Sequence, residues 1–353
     1  MKALITGITG FVGSHLAEFL LQRNLEVHGM KRWRSSVGLI AGILKDVQLH
    51  ECDLRDSHAV IRLIRAVAPD RIYHLAAQSY VPASFTCPVD TFEVNACGTI
   101  NLLEAVRMAD IDPRIHICSS SEVYGQVLPE EVPIKETNML RPASPYAVSK
   151  VAEDMLGYQY HESYKLQTIR TRAFTHTGPR RGEVFVESTF AKQIADIEKG
   201  RQQPVLRVGN LDSIRTFLDV RDICDAYYLC AEKGVPGEVY NIGGKRTLSV
   251  REMLDYLLSL TSAKIKVEVD PARLRPSDVT LQIPDISKFV AQTGWAPEIP
   301  FEKTMTDLLE YWRSQPSENG AFRSVHPQRS DRAAAGLGEG PTRTPVRQAP
   351  SQG

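Results

Sequence analysis

The sequence predicts an α/β protein built on a doubly wound parallel sheet, with a smaller, interleaved mixed α/β lobe. Three observations lead there. From residue 2 to about 175, short apolar runs alternate with helical stretches. Three glycines, Gly7, Gly10 and Gly13, stand where the first run gives way to the first helix. After Pro179 the alternation loosens into a mixture of helices and short strands. Strand, helix and strand in succession, with brief Gly and Pro breaks, are the pattern of a parallel sheet whose ligands lie at the carboxyl ends of its strands.

The run Lys2–Thr6 has the continuous apolar character of a strand buried on both faces, and Phe11 to Gln22 is amphipathic at helical period. Further strands are expected at 26–30, 47–51, 71–76, 114–119 and 167–173, and helices at 57–67, 89–109 and 145–163. Beyond Pro179, helices are expected at 188–199, 219–232, 249–261 and 301–313, with strands at 205–208, 238–242 and 264–269. The expected division is a nucleotide-binding domain over 1–178, rejoined by a strand and helix from about 205–245, and a second lobe over 179–313. Residues 314–353 are rich in Ser, Gly, Pro, Arg and Gln, too poor in apolar surface to offset their ordering entropy, so a disordered tail is expected.

At 353 residues and 42% hydrophobic content, the chain can bury one large core or two modest ones. Its 42 basic and 42 acidic residues balance, which gives no reason to expect nucleic acid or a membrane surface as partner. Six cysteines lie scattered without a CxxC pair, so neither a metal site nor a disulfide framework is expected. The glycine turn follows Met1 so closely that a signal peptide is not expected, and no apolar run reaches membrane-spanning length. A reduced, cytoplasmic protein is the expectation.

The turn Gly7-Ile-Thr9-Gly10-Phe11-Val12-Gly13 has GxxGxxG spacing between strand and helix. That context favours a dinucleotide site over a plain tight turn: glycines admit the pyrophosphate, and the helix N-terminus supplies N–H groups and a favourable dipole. At the end of the second strand stand Lys31, Arg32 and Arg34, without the carboxylate that would take a ribose 2′-hydroxyl. Cations there suit a 2′-phosphate and hence NADP(H), the alternative being a solvated basic turn. Asp53-Leu54 ends the third strand, where a carboxylate can take an adenine amino group, and Ala76-Ala77 ends the fourth, where small residues let phosphate and ribose pass.

Downstream, Tyr146 and Lys150 lie four residues apart on one helix face. A tyrosine hydroxyl has a pKa near about 10, and a neighbouring ammonium together with a positive nicotinamide ring would bring it down into the range of a general base. Ser120, at the end of the fifth strand, is placed to share the reacting proton. Glu122 is more telling. Hydride transfer to a ketone needs no carboxylate, whereas removing a proton α to a carbonyl or protonating a departing hydroxyl does. Ordering the loop or binding a sugar hydroxyl remains an equal alternative for it. In the second part of the chain, Arg180, Arg181, Arg215, Arg273 and Arg275 would suit a nucleotide diphosphate if they converge.

These residues resemble the extended short-chain dehydrogenase/reductase superfamily over about 1–313, and within it the GDP-mannose 4,6-dehydratase group. The likeness lies in Gly7–Gly10, Glu26–Arg32 with Ser35-Ser36, Ala77–Phe85, Ser119–Gly125 and Gly178–Val186. It implies a Rossmann domain, retained NADP, a GDP-sugar substrate, and a homodimer or homotetramer. It makes Tyr146 the oxidation base, Lys150 its partner and Glu122 the eliminating acid/base, with Ser120 where threonine is usual. It also implies cofactor contacts from His176 and Arg181, and substrate contacts from Ser79, Ser84, Thr175, Val186, Lys192, Arg215 and Arg275. Thr175 stands where the group usually has asparagine. Ser188–Ile194, Val208–Leu211 and Phe217–Asp222 resemble the sister GDP-4-keto-6-deoxymannose reductases, whereas Arg180-Arg181 resembles the dehydratases. The expected activity is that of a GDP-sugar 4,6-dehydratase; the alternatives are the reductase acting on its product, then a nucleotide-sugar 4-epimerase, and, outside enzymes, an NADP(H)-sensing or scaffold protein.

Overall fold

Seven strands pair in parallel to form the central sheet of the computed structural model, which describes residues 1–274 and 279–316. Six come from the first half of the chain: β1 (Lys2–Thr6), β2 (Glu26–Lys31), β3 (Val47–Glu51), β4 (Arg71–His74), β5 (Arg114–Cys118) and β6 (Thr168–Ala173). Between and around them run α1 (Phe11–Leu21), α2 (Ser57–Val67), α3 (Val81–Thr86), α4 (Pro88–Phe92), α5 (Gly98–Ala109) and α6 (Pro145–Tyr164). The remaining strands are β7 (His176–Thr177), β8 (Val205–Val208), β9 (Ile214–Thr216), β10 (Leu218–Asp219), β11 (Val239–Ile242), β12 (Thr247–Ser249), β13 (Lys266–Val269) and β14 (Leu281–Gln282). The remaining helices are α7 (Val186–Glu198), α8 (Val220–Lys233), α9 (Val250–Ser259), α10 (Ser287–Thr293) and α11 (Phe301–Ser314).

The sheet order is β3-β2-β1-β4-β5-β6-β11. Successive strands depart in opposite directions from β1, so the connections after β1 and β4 diverge there and open a crevice at the carboxyl ends. Side chains alternate across β1: Ala3 and Ile5 join the core under α1 and α8, while Leu4 joins the core under α2, α5 and α6. Both faces are thus covered, which is why the strand is a continuous apolar run. A third core, with Phe190, Ile194, Met253, Leu257, Met305 and Leu308, binds α7, α9 and α11 together. β11 returns to pair with β6, and β9 pairs with β12 and β14 in a small separate sheet.

The structure departs from expectation where local pattern competes with tertiary bonds. The expected helix 89–109 is interrupted by a π-helical turn at Glu93–Cys97. It carries Asn95, whose amide bonds Gln78 through both its N–H and its carbonyl and also donates to Ser149 Oγ. β4 stops at His74 because the N–H groups of Leu75 and Ala76 turn to Thr6 Oγ1. β6 carries Arg170 and Arg172 into the interior, where both pair with Asp154 of α6. α3, α10, β9, β12 and β14 were not expected, each being too short to carry a period of its own. Arg275 and tail residues 317–353 lie outside the described residues. Among those described, no helix is long and apolar enough to cross a membrane, and no cluster of side chains suits a metal ion.

Candidate active site

Thr6 closes β1 and ties it to β4: its hydroxyl bonds His74 Nδ1 at 2.9 Å and accepts from the two amides beyond β4. This brings Ala76 against Gly7, which has φ +74°; a Cβ on Gly7 would stand 3.0 Å from Ala76 Cα. A Cβ on Gly13 would stand 2.3 Å from the Gly7 carbonyl oxygen. Only glycine lets this turn close over its own backbone. α1 begins at Gly10 with no side-chain cap, so its first N–H groups remain available to a ligand.

A cavity of about 480 Å³ runs along the carboxyl ends of the sheet. Its floor includes the glycine turn with Thr9, Phe11 and Val12, and one end is walled by Lys31, Arg32, Asp53 and Leu54. Ala76, Ala77 and Ser79 form a side, and Ser120, Glu122, Tyr146 and Lys150 stand on the same wall system. Thr175, His176, Arg181, Val186 and Arg215, all beyond β6, complete the lining.

Arg180 and Arg181, adjacent in sequence, part company here. Arg180 turns to Glu18 of α1 at 2.6 Å, whereas Arg181 enters the cavity wall beside the Phe11 and Phe185 rings. Arg181 Nε is buried with no hydrogen-bond partner among the described residues. An orphaned guanidinium N–H beside a glycine cradle and an uncapped helix fits a dinucleotide pyrophosphate. His176 stacks on Phe11, with ring centroids 6.2 Å apart, and is held through Nδ1 by the Phe174 carbonyl.

Ser144 caps α6 through the Ala147 amide, and Pro145 occupies its first turn, so the helix starts just before Tyr146. Burial pushes the Tyr146 hydroxyl above the ordinary tyrosine value, opposed by the Lys150 ammonium and a hydrogen bond from Ser120. In the protein alone, desolvation outweighs the cation; the expected lowering rests on Lys150 together with the nicotinamide ring. Lys150 Nζ donates to the Cys118 carbonyl at 2.5 Å and to Glu153 Oε2 at 2.6 Å. Burial works against the ammonium, but Glu153 and Tyr146 outweigh it and hold the lysine pKa up.

Ser120 also caps the short 3₁₀ turn Ser121–Tyr124, accepting from the Glu122 amide at 3.2 Å. The Glu122 carboxylate accepts from Gln282 Nε2 at 3.3 Å. Gln282 lies opposite Arg215 in the β14–β9 register, so one strand pair presents both to the cavity. The sequence reading missed Gln282, Asn95 and Glu153. Only Glu153, one turn beyond Lys150, left a local signal.

Four expected contacts lie elsewhere. Arg34, at a left-handed φ of 63°, stacks over Trp33 and lines a neighbouring groove with Arg32, Arg55 and Arg62. Ser84 is fully buried, and its hydroxyl is spent on the Val81 carbonyl inside α3. Lys192 is off the cavity wall and paired with Glu183 and Asp196. Arg273 pairs with Asp270, and Arg275 lies outside the described residues. Two expected cofactor contacts are on the wall but already engaged: Lys31 with Glu51 at 2.7 Å, and Asp53 with Arg55.

The family model described as GDP-mannose 4,6 dehydratase matches residues 4–308. A GDP-mannose 4,6-dehydratase of Yersinia enterocolitica is 36% identical over 348 residues, spanning 87% of this chain and 92% of the relative. A GDP-6-deoxy-D-mannose reductase of Pseudomonas aeruginosa is 32% identical, spanning 90% of this chain and 99% of the relative. Among solved structures, RMD from Pseudomonas aeruginosa complexed with NADPH superposes with a TM-score of 0.77 at 30% identity, covering 89% of this chain and 99% of that one.

Proposed function

Since the chain belongs to the GDP-mannose 4,6 dehydratase family, we propose that it converts GDP-mannose or a related GDP-sugar to the 4-keto-6-deoxy sugar with retained NADP. One observation carries the choice of reaction: a carboxylate, Glu122, shares the cavity with Ser120, Tyr146 and Lys150 and is oriented by Gln282. Simple carbonyl reduction has no use for it.

The bound cofactor supplies a hydride acceptor and later a hydride donor beside the sugar. Tyr146 takes the proton of the C4 hydroxyl, aided by Lys150 and relayed by Ser120. Glu122 then removes the C5 proton and passes it to the C6 hydroxyl, which leaves as water. C6 would take back the hydride and C5 a proton, which balances the one Tyr146 took from the C4 hydroxyl. The glycine turn, Arg181 and His176 hold the pyrophosphate and nicotinamide half, and Arg32 and Asp53 the adenosine half. Ser79, Thr175, Val186 and Arg215 take the GDP-sugar. In this reading 1–178, with the strand and helix returning from about 205–245, form the cofactor half, and 179–313 the sugar-nucleotide half.

The test is incubation with GDP-mannose and a trace of NADP⁺. A product one water lighter than substrate is the expected result. The second reading, a reductase, is favoured by the Pseudomonas relative. It requires stoichiometric NADPH oxidation on a 4-keto-6-deoxy sugar and no product from GDP-mannose.

The oligomer belongs to the same proposal: a homodimer, alone or doubled into a homotetramer. Val148, Met155 and Tyr158 on α6, and Val89, Phe92 and Ile100 along α4 and α5, are exposed at helical spacing on neighbouring helices. Two such stripes suit a four-helix contact with a second copy around a twofold axis. All six cysteines are free thiols, which supports a reducing, cytoplasmic setting.

A further inference from the structure

Behind the cavity wall Lys150 is paired with a carboxylate that the reaction as described does not use. Lys150 and Glu153 sit one turn apart on α6, with side chains 4% and 1% exposed. Lys150 lines the cavity; Glu153 does not. An ammonium has three N–H donors. Two are committed, one to the Cys118 carbonyl on β5 and one to Glu153 Oε2. The third is left for the cavity.

The charges around the pair are few. Asp154 faces Glu153 from the same helix but is engaged by Arg170 and Arg172 of β6. Tyr146 of α6 and Cys118 of β5 bear on Lys150, and Lys150 in turn bears on His74 of β4 and His116 of β5, both of which burial keeps neutral. Burial pushes the Glu153 carboxyl up to about 7, opposed by Lys150, so the two groups hold each other's charge across a 2.6 Å contact. Glu153 is still the first anionic partner of Lys150 in a dry region, where an unpaired ammonium loses its proton readily.

We propose that Glu153 is a positioning residue for the proton relay, anchoring the Lys150 ammonium against β5 and keeping it charged so that its free N–H serves Tyr146 and the cofactor ribose. This rests on the reading of Tyr146 and Lys150 given above and goes beyond it, because Glu153 touches neither cavity nor substrate.

The test measures Lys150 directly and then through turnover. Acetylation of the full-length protein by acetic anhydride is followed against pH by mass analysis of the peptide bearing Lys150, since only the neutral amine reacts. In Glu153→Gln the pH midpoint of reactivity is expected to fall by about one unit or more, a tenfold or larger gain in neutral amine at fixed pH. The alkaline limb of kcat/KM falls with it. Glu153→Asp, which keeps the charge, stays near wild type in both. Should Glu153→Gln not fold, Glu153→Met removes the charge at similar volume and carries the same expectation. A wild-type midpoint and alkaline limb in the folded, uncharged variant overturn the proposal. A lowered midpoint in a protein whose wild type leaves GDP-mannose untouched upholds the anchoring by Glu153 and overturns only the substrate assignment.

Discussion

Gln282 reaches Glu122 across 160 positions of sequence, its Nε2 donating to Oε1 at 3.3 Å. A residue of the small β9–β12–β14 sheet therefore holds a carboxylate on a turn beyond β5, and in the proposed reaction the elimination would draw on residues 160 positions apart. Replacing Gln282 by Leu is expected to slow dehydration about tenfold or more, the worth of one hydrogen bond to a charged group. Glu122→Gln is expected to abolish dehydration while C4 oxidation remains visible as a transient NADPH absorbance. Stopped-flow absorbance with product mass analysis separates the two steps. Loss of both steps together, or of neither, removes Glu122 from the role.

Tyr146→Phe keeps the ring in its buried place and deletes the hydroxyl that bonds Ser120. Turnover is expected to fall by at least about a thousandfold, with NADP(H) binding retained, because the glycine turn and Arg181 are untouched. Calorimetric titration with NADPH beside a rate assay checks both halves. Near-normal rates would place the base elsewhere.

Asp154 holds two buried arginines, Arg170 Nη1 and Arg172 Nε, each at 2.8 Å. Asp154→Asn leaves two cations uncompensated in the interior, and a loss of about 3–5 kcal/mol in unfolding free energy is expected. Denaturant unfolding at neutral pH measures it. A change under about 1 kcal/mol would mean that the arginines find water or other partners.

Burial drives His74 and His116 from about 6.5 to about 3. The folded protein therefore keeps both neutral while the unfolded chain takes up protons as pH falls below about 6.5. The stability they contribute is fully present above that value and is lost on acidification toward pH 3, at up to about 1.4 kcal/mol per pH unit for each ring. The melting temperature is expected to drop steeply from pH 6.5 downward, and less steeply in His116→Gln. A flat profile between pH 6.5 and 5 would contradict this.

A charge in the exposed stripe tests the dimer. Met155→Glu, on the outer face of α6 and away from the cavity, is expected to shift the light-scattering mass to that of one chain with the fold retained by circular dichroism. An unchanged mass would place the contact elsewhere or leave the chain a monomer from the start.

Much of this architecture was legible along the chain because it depends on short spacings. The run Lys2–Thr6 is apolar on both faces because both are covered, and period alone exposes that. Gly7 and Gly13 stand where a Cβ would strike backbone, so their spacing announces the turn. Tyr146 and Lys150 meet because four residues make about one helical turn. Other relations have no such local cause. That Gln282 meets Glu122, that Arg181 and not Arg180 enters the cavity, and that Arg170 and Arg172 are buried against Asp154 depend on how helices and sheets pack. The residue order dictates which groups stand one turn or one strand step apart, since backbone geometry sets those distances. Which distant groups become partners is decided by tertiary burial, where a polar side chain stripped of water takes whatever donor or acceptor the packing brings within reach.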